Sequence, residues 1–332
     1  MTYKKLVFDK TKDKSKKLNL IKFDQPKPQP GEVLVEVFYS CINYKDALGV
    51  TGRGAIFKTS PIVPGIDFSG TALSGKYKGK TVIGQGLGFG ESFDGGYTQL
   101  VCCDEDLLIP LNEGLHAKEA MALGTAGFTA ALAVQRMIVN GQTKNKGPVL
   151  INGATGGVGG FAVQIFKQLG FEVHALTNRI QFSEHLKNLG ADEVIEYKDF
   201  SAHNSNHKPK ALESTVWGGA VDNLGGDFLE KALPKIQLWG SVASIGLAKD
   251  HSFSTTVMPF ILRGVSLLGV SSGNCPMDLR VELWKKLAQD WKPKKILELI
   301  SEELSLEEVL DASHKILDHK ASAGRVLVNT KA

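Results

Sequence analysis

A chain of 332 residues is too long for one small domain and suits two packed ones. With 42% hydrophobic and 22% charged residues it has the make-up of an ordinary globular enzyme, and its 36 glycines favour many tight turns and backbone-lined pockets. The net charge of +4 is mild, and no nucleic-acid-reading module accompanies the lysines, which argues against nucleic acid as the main partner.

The start, MTYKKLVFDK, lacks an apolar signal core, and no run reaches the ~18 apolar residues of a membrane span. Its lysines (Lys4, Lys5, Lys10, Lys12, Lys14, Lys16, Lys17) read as a solvated hairpin. After PKPQPG comes "EVLVEVFYS", where Val33, Val35, Val37 and Tyr39 alternate with Glu32, Leu34, Glu36 and Phe38, as in a strand. "GKTVIGQG" and "GGYTQLVCC" are further strand-like pieces, each introduced by glycine. Many short strands with glycine turns suggest a barrel-like β domain. Cys41, Cys102, Cys103 and Cys275 show no framework spacing and suit a reduced compartment, so a cytoplasmic protein is expected.

The character changes near Gly124. "TAGFTAALAVQRMI" is helical in composition, and strands then alternate with helices: Val149–Asn152, a helix after Gly159, Phe171–Thr177, a helix Gln181–Leu189, then "EVIEY", "GGAVDNLGG" and "SVASIGL". Such alternation predicts an α/β, doubly wound parallel sheet. "VSLLGVSSG" is its expected last strand and "DLRVELWKKLAQDW" its covering helix. The polar run 201–210, with His203 and His207, reads as a surface loop rather than a metal site. The tail, a helix and a strand, is expected to return to the first domain. The expected division is therefore 1–123 with 293–332, and 124–292.

Between Ile151 and the next helix the chain reads G-A-T-G-G-V-G. Gly153, Gly156, Gly157 and Gly159 would let the turn close and bring main-chain N–H groups against a pyrophosphate at the helix N-terminus. Val158, Ala162, Ile165 and Leu169 form the face expected to pack on the sheet. About twenty residues further on, where an NAD-binding protein usually carries an acid, stand Thr177, Asn178 and Arg179. A carboxylate there would repel a 2′-phosphate, whereas Arg179 can pair with one bidentately. The expected cofactor is NADPH.

A β-rich first domain, an inserted domain carrying "GATGGVG" and a returning tail resemble the medium-chain dehydrogenase/reductase superfamily. Within it, "INYKDALGVTGRG", "PIVPGIDFSGT", "GTAGFTA" and "TTVMPFILRGVSLLGV" resemble the acrylyl-CoA reductase family, also labelled quinone oxidoreductases. The resemblance runs from about Pro30 to Arg325. It implies a GroES-like barrel domain beside a Rossmann domain, and a homodimer. Zinc-dependent members place Cys and His where this chain has Asn43 and Ile66, a poor ligand and a non-ligand. The lobe of four cysteines is missing too, so a zinc-free reductase is implied.

Without a Lewis acid, alcohol oxidation is disfavoured, while hydride addition to a polarised C=C needs only donors for the developing enolate and a proton source. The expected reaction is NADPH-dependent reduction of acrylyl-CoA (2-enoyl-CoA). Reduction of quinones or other activated alkenes shares every cofactor residue, and a non-catalytic NADPH-binding regulator is the rival of another class. Tyr44, Asn43 and Asp46 of "NYKD" are the catalytic candidates, with Tyr44 foremost as proton donor or nicotinamide contact. The resemblance further implies cofactor contacts at Tyr44, Thr129, Ala154, Thr155, Gly156, Gly157, Val158, Tyr197, Leu247, Ile261, Ser272 and Arg325, beside Thr177, Asn178 and Arg179. "MPFILRG", which holds Ile261, equally suits a dimer edge. Arg53 and Lys58 are the available cations for a CoA tail.

Overall fold

The computed structural model describes residues 2–13, 17–202 and 210–332. Lys14, Lys16, His203 and His207 lie outside the described residues. The chain divides into two compact units: 1–125 with 272–289 and 296–332, and 126–271 with 290–295.

The first unit opens with a hairpin of β1 (Thr2–Phe8) and β2 (Leu18–Asp24), so the lysine-rich start forms antiparallel strands as expected. Strand β3 (Glu32–Ile42) follows, then helix α1 (Tyr44–Val50), β4 (Asp67–Ala72), β5 (Thr81–Gln85), β6 (Leu100–Asp104) and β7 (Leu108–Pro110). Val33, Leu34, Val35 and Val37 of β3 are all buried, so the expected alternation gives way to burial on both faces. The reason is its place: β3 pairs β4 on one side and β6 and the chain's last strand on the other.

Helix α2 (Ala117–Val139) carries a break at Gly124, whose φ of 46° is unavailable to a helical residue. By length and hydropathy α2 could cross a membrane, a match the count of apolar runs missed; 72% of its apolar window is buried inside the protein, as in a core helix.

The second unit contains β8 (Val149–Ile151), α3 (Gly157–Gln168), β9 (Val173–Thr177), α4 (Ser183–Leu189), β10 (Glu193–Glu196), α5 (Tyr197–Ala202), β11 (Trp217–Asp222), α6 (Asp227–Ala232), β12 (Ile236–Ser244), α7 (Met258–Arg263) and β13 (Ser266–Gly269). Its strands pair in parallel in the order β10-β9-β8-β11-β12-β13, the doubly wound arrangement. Strands buried on both faces need no alternation, which is why "VLI" and "VHALT" are apolar throughout or nearly so. Helix α3 is enclosed around its whole circumference from Gly159 to Phe166, beyond the single face expected of it.

The chain then returns to the first unit with α8 (Met277–Ala288), β14 (Ile300–Leu304), α9 (Val309–Leu317) and β15 (Arg325–Asn329). Strand β15 lies between β14 and β3, so the tail returns as the sequence suggested. Helix α8 departs from expectation. It was read as a cover for the parallel sheet, yet it belongs to the first unit: Arg280 donates to the Gln85 carbonyl at 3.0 Å and its Oε1 at 2.8 Å, and the Trp284 indole donates to that same Oε1. The boundary expected at 292 therefore splits differently.

Candidate active site

In the second unit, β8 ends at Ile151 and the glycine turn leads into α3. Gly153 sits at φ +56°, and a Cβ on Gly159 would stand 2.4 Å from the Gly153 carbonyl and 2.7 Å from Ala154 Cα. Glycine is therefore what lets the turn lie against the first turn of the helix. Ala154 and Thr155 are buried; Gly156 is exposed and Gly157 and Val158 half-buried. The N–H groups opening α3 have no helical acceptor, and they border a space where a Cβ on Gly156 would touch only the Gly153 carbonyl. The turn fits a dinucleotide pyrophosphate.

At the end of β9, the Thr177 hydroxyl accepts from the Arg179 N–H at 2.9 Å, and Asn178 is exposed. The Arg179 guanidinium lies 4.4 Å from the centre of the Phe182 ring, a stacking that limits its freedom. These residues suit a phosphate on the adenosine ribose. Tyr197, implied as an adenosine contact, is 8% exposed; its hydroxyl donates to Asp227 at 2.8 Å and lies under the Lys249 ammonium. Thr129 is buried, whereas Leu247 is 65% exposed beyond β12.

In the first unit the "NYKD" residues open α1, and their settings differ. Tyr44 is 44% exposed. Asn43 is the N-cap, and its amide nitrogen donates to Asp67 Oδ2 at 2.8 Å and Asp46 Oδ2 at 3.1 Å. Asp46 is 1% exposed and accepts from the N–H groups of Asn43 and Ile66. Burial, with the Asp67 charge second, pushes its carboxyl up to about 7. Asp46 was expected among the catalytic residues; enclosed and engaged in this way it cannot touch a substrate, and it acts by fixing the start of α1. Asn43, 8% exposed, has the same supporting role.

Asp67 was missed by the sequence reading. Its carboxylate accepts from Asn43, from Thr125 N–H at 2.6 Å and hydroxyl at 2.7 Å, and from the Cys41 thiol at 3.3 Å. Gly124 makes this possible, since a Cβ there would sit 2.8 Å from Asp67 Oδ2 and 2.9 Å from Cys41 Sγ. The acid in "PGID", beside a slot that holds no ligand, was the available signal. Arg325, implied as a cofactor contact, is 5% exposed: Nε donates to the Ala122 carbonyl and Nη2 to Cys41 Sγ at 2.9 Å. These bonds tie it into the interior cluster around Asp67. Burial pushes the Cys41 thiol well up, so it is no nucleophile. Among the described residues, no group of three or more His, Cys, Asp or Glu is placed to hold a metal ion.

Ile261 is 71% exposed on α7, beside exposed Val257 and Leu262. Ser272 presents its carbonyl to Arg280. Arg53 already pairs with Asp318 at 2.7 Å and approaches His314, leaving Lys58 as the uncommitted member of the expected CoA rim.

The comparisons with known proteins agree with this geometry. Residues 29–113 match the alcohol dehydrogenase GroES-like domain, and residues 157–289 match the zinc-binding dehydrogenase domain, so the chain is of the alcohol dehydrogenase type in both units. YhfP of Bacillus subtilis, named as a quinone oxidoreductase, is 45% identical over 91% of each chain. Its structure with NAD bound superposes with a TM-score of 0.92, at 40% identity over 99% of each chain. The acrylyl-CoA reductase AcuI of Ruegeria pomeroyi is 40% identical, covering 98% of this chain and 99% of its own. The yhdH oxidoreductase of Salmonella enterica, in complex with NADP, gives a TM-score of 0.90 at 35% identity over 99% of each chain. The chain belongs to the medium-chain dehydrogenase/reductase superfamily, in the branch that holds the acrylyl-CoA reductases and these quinone oxidoreductases.

Proposed function

We propose that this protein is an NADPH-dependent reductase of activated C=C bonds, with acrylyl-CoA (2-enoyl-CoA) as its substrate. The observation that carries the reading is the glycine turn of the second unit followed by Asn178-Arg179 where an acid would select NADH, in a chain 40% identical to an acrylyl-CoA reductase over nearly its full length. When bound, NADPH supplies the hydride. The turn at Gly153–Gly157 takes the pyrophosphate, and Arg179 pairs with the 2′-phosphate. Tyr44, the exposed side chain of "NYKD", offers a donor to the thioester oxygen on which charge gathers or a proton to the α-carbon.

Quinone reduction is the second reading, favoured by the 45% identity to YhfP. Loss of the reduced-nicotinamide absorbance, followed in parallel with acrylyl-CoA, a quinone and an enone, decides between them. Fastest turnover per KM with acrylyl-CoA is expected; a quinone preference of tenfold or so would reverse the order. Turnover with none of the three would leave a non-catalytic NADPH-binding protein. A cytoplasmic location goes with this reading, supported by four free cysteines. So does a homodimer, supported by the exposed apolar side chains of Leu238, Trp239, Val257, Ile261 and Leu262 in the region of edge strand β13.

A further inference from the structure

In the second unit, β8 and β11 are neighbours from which the chain winds in opposite directions, so the crevice between their carboxyl ends is the switch point of the sheet. Asn152 follows β8 and Asp222 ends β11; both are fully buried. The Asn152 amide donates to Asp222 Oδ1 at 2.7 Å, and its own oxygen accepts from the Asn223 N–H at 2.6 Å. The Asn223 amide in turn donates to the Asn152 carbonyl at 2.8 Å. Asp222 Oδ1 also takes the N–H groups of Leu224 and Gly225. Three donors converge on one carboxyl oxygen, while the other, Oδ2, and Asn223 Oδ1 are buried with no hydrogen-bond partner.

We infer that Asn152, Asp222 and Asn223 form a clasp that sets the glycine turn against β11, and that Asp222 is thereby a positioning residue for the dinucleotide pyrophosphate. The inference rests on the cofactor reading above. Asn152 is bonded immediately before Gly153, whose carbonyl accepts from Gly156 N–H, so the turn hangs from the clasped residue. A Cβ on Gly153 would come within 3.3 Å of Asn223 Cβ, so the turn also rests on the clasp from the side. Buried acceptors without donors are rare in a packed interior, which marks this spot as built for more than packing. Burial raises the Asp222 carboxyl above its ordinary value, against the three donors on Oδ1, which lower it. Because NADPH and NADH share the pyrophosphate, the clasp serves both alike, unlike Arg179.

Titration calorimetry of the full chain with NADPH and with NADH, beside thermal unfolding, tests this. Asn152→Ala and Asp222→Ala should raise Kd for both dinucleotides by the same factor, about tenfold, with kcat at saturating cofactor within about twofold of native. Asp222→Asn, which keeps one acceptor and replaces Oδ2 by a donor, should stay within about threefold of native. Native affinity in a folded Asn152→Ala or Asp222→Ala protein overturns the inference. So does a loss confined to NADPH, or an Asp222→Asn protein as damaged as the alanine variant. If Asp222→Ala does not fold, the other two variants decide. A native chain that binds neither dinucleotide instead removes the cofactor reading on which the inference stands.

Discussion

Four side chains separate cofactor choice, chemistry and support. Exchanging Asn178 and Arg179 for Asp and Ala should weaken NADPH binding by about 1–3 kcal/mol, the loss of a charge-assisted pair, while NADH loses far less or gains. Equal affinity of the native protein for both cofactors, a live question since YhfP was solved with NAD, would remove this explanation. Tyr44→Phe keeps the ring and deletes one donor; a fall of about 10²–10³ in kcat with unchanged NADPH affinity assigns the hydroxyl to the reacting atoms. A rise in KM for NADPH alone assigns it to the cofactor. For Asp46, raised to about 7 by burial, the folded chain holds a proton that the unfolded chain releases near its ordinary 3.8. Its contribution to stability is therefore full below about pH 4 and is lost as pH rises through 7. Asp46→Asn loses an acceptor at every pH but has no proton to lose, so the gap in Tm between it and native should narrow from pH 5.5 to 8.5. A constant gap would show Asp46 already ionised. Of this cluster, the sequence made only the local part legible: Asn43 and Asp46 are three residues apart, whereas Asp67, Thr125 and Arg325 meet them only through the sheet and the break at Gly124.

Among the elements, those whose logic is local were read correctly. Strand, glycine turn and helix at β8–α3 announce themselves because the reasons are local: Gly153 sits at φ +56°, and Gly159 abuts the Gly153 carbonyl six residues before it. Gly159→Ala tests the tightest of these: its methyl would meet backbone rather than a yielding side chain. Overpacking of this kind costs about 1–3 kcal/mol, visible in urea unfolding, and should weaken dinucleotide binding as the turn shifts. Native stability and affinity would mean that the turn and α3 separate at little cost. Helix α8 shows the opposite case. Its apolar spacing says that one face is buried but not against what, and the choice is made by Gln85, nearly two hundred residues earlier in the chain. Trp284→Phe, which removes the indole N–H and shrinks a fully buried ring, should lower stability by about 1–3 kcal/mol and leave cofactor affinity untouched.

At the scale of the whole molecule, the edge of the parallel sheet carries the assembly reading. Trp239→Lys, at a side chain 70% exposed, should shift a dimer toward monomer in light scattering at micromolar concentration; a native protein that is monomeric there would end the proposal. The same purified protein should keep its turnover after chelation and contain no stoichiometric zinc, since Asn43 and Ile66 occupy the ligand slots. The path of the chain adds a constraint of its own. The first unit is assembled from three segments, and its central strand β3 is completed on one side by β15, whose Arg325 lies 284 residues after Cys41. During synthesis the ribosome therefore releases the whole middle of the protein before β3 can find its neighbour, and the order of translation favours the dinucleotide-type unit as the earlier to fold. Until β15 emerges, Cys41 and Asp67 wait without Arg325, and the nascent first unit presents an open strand edge of the kind that chaperones shield.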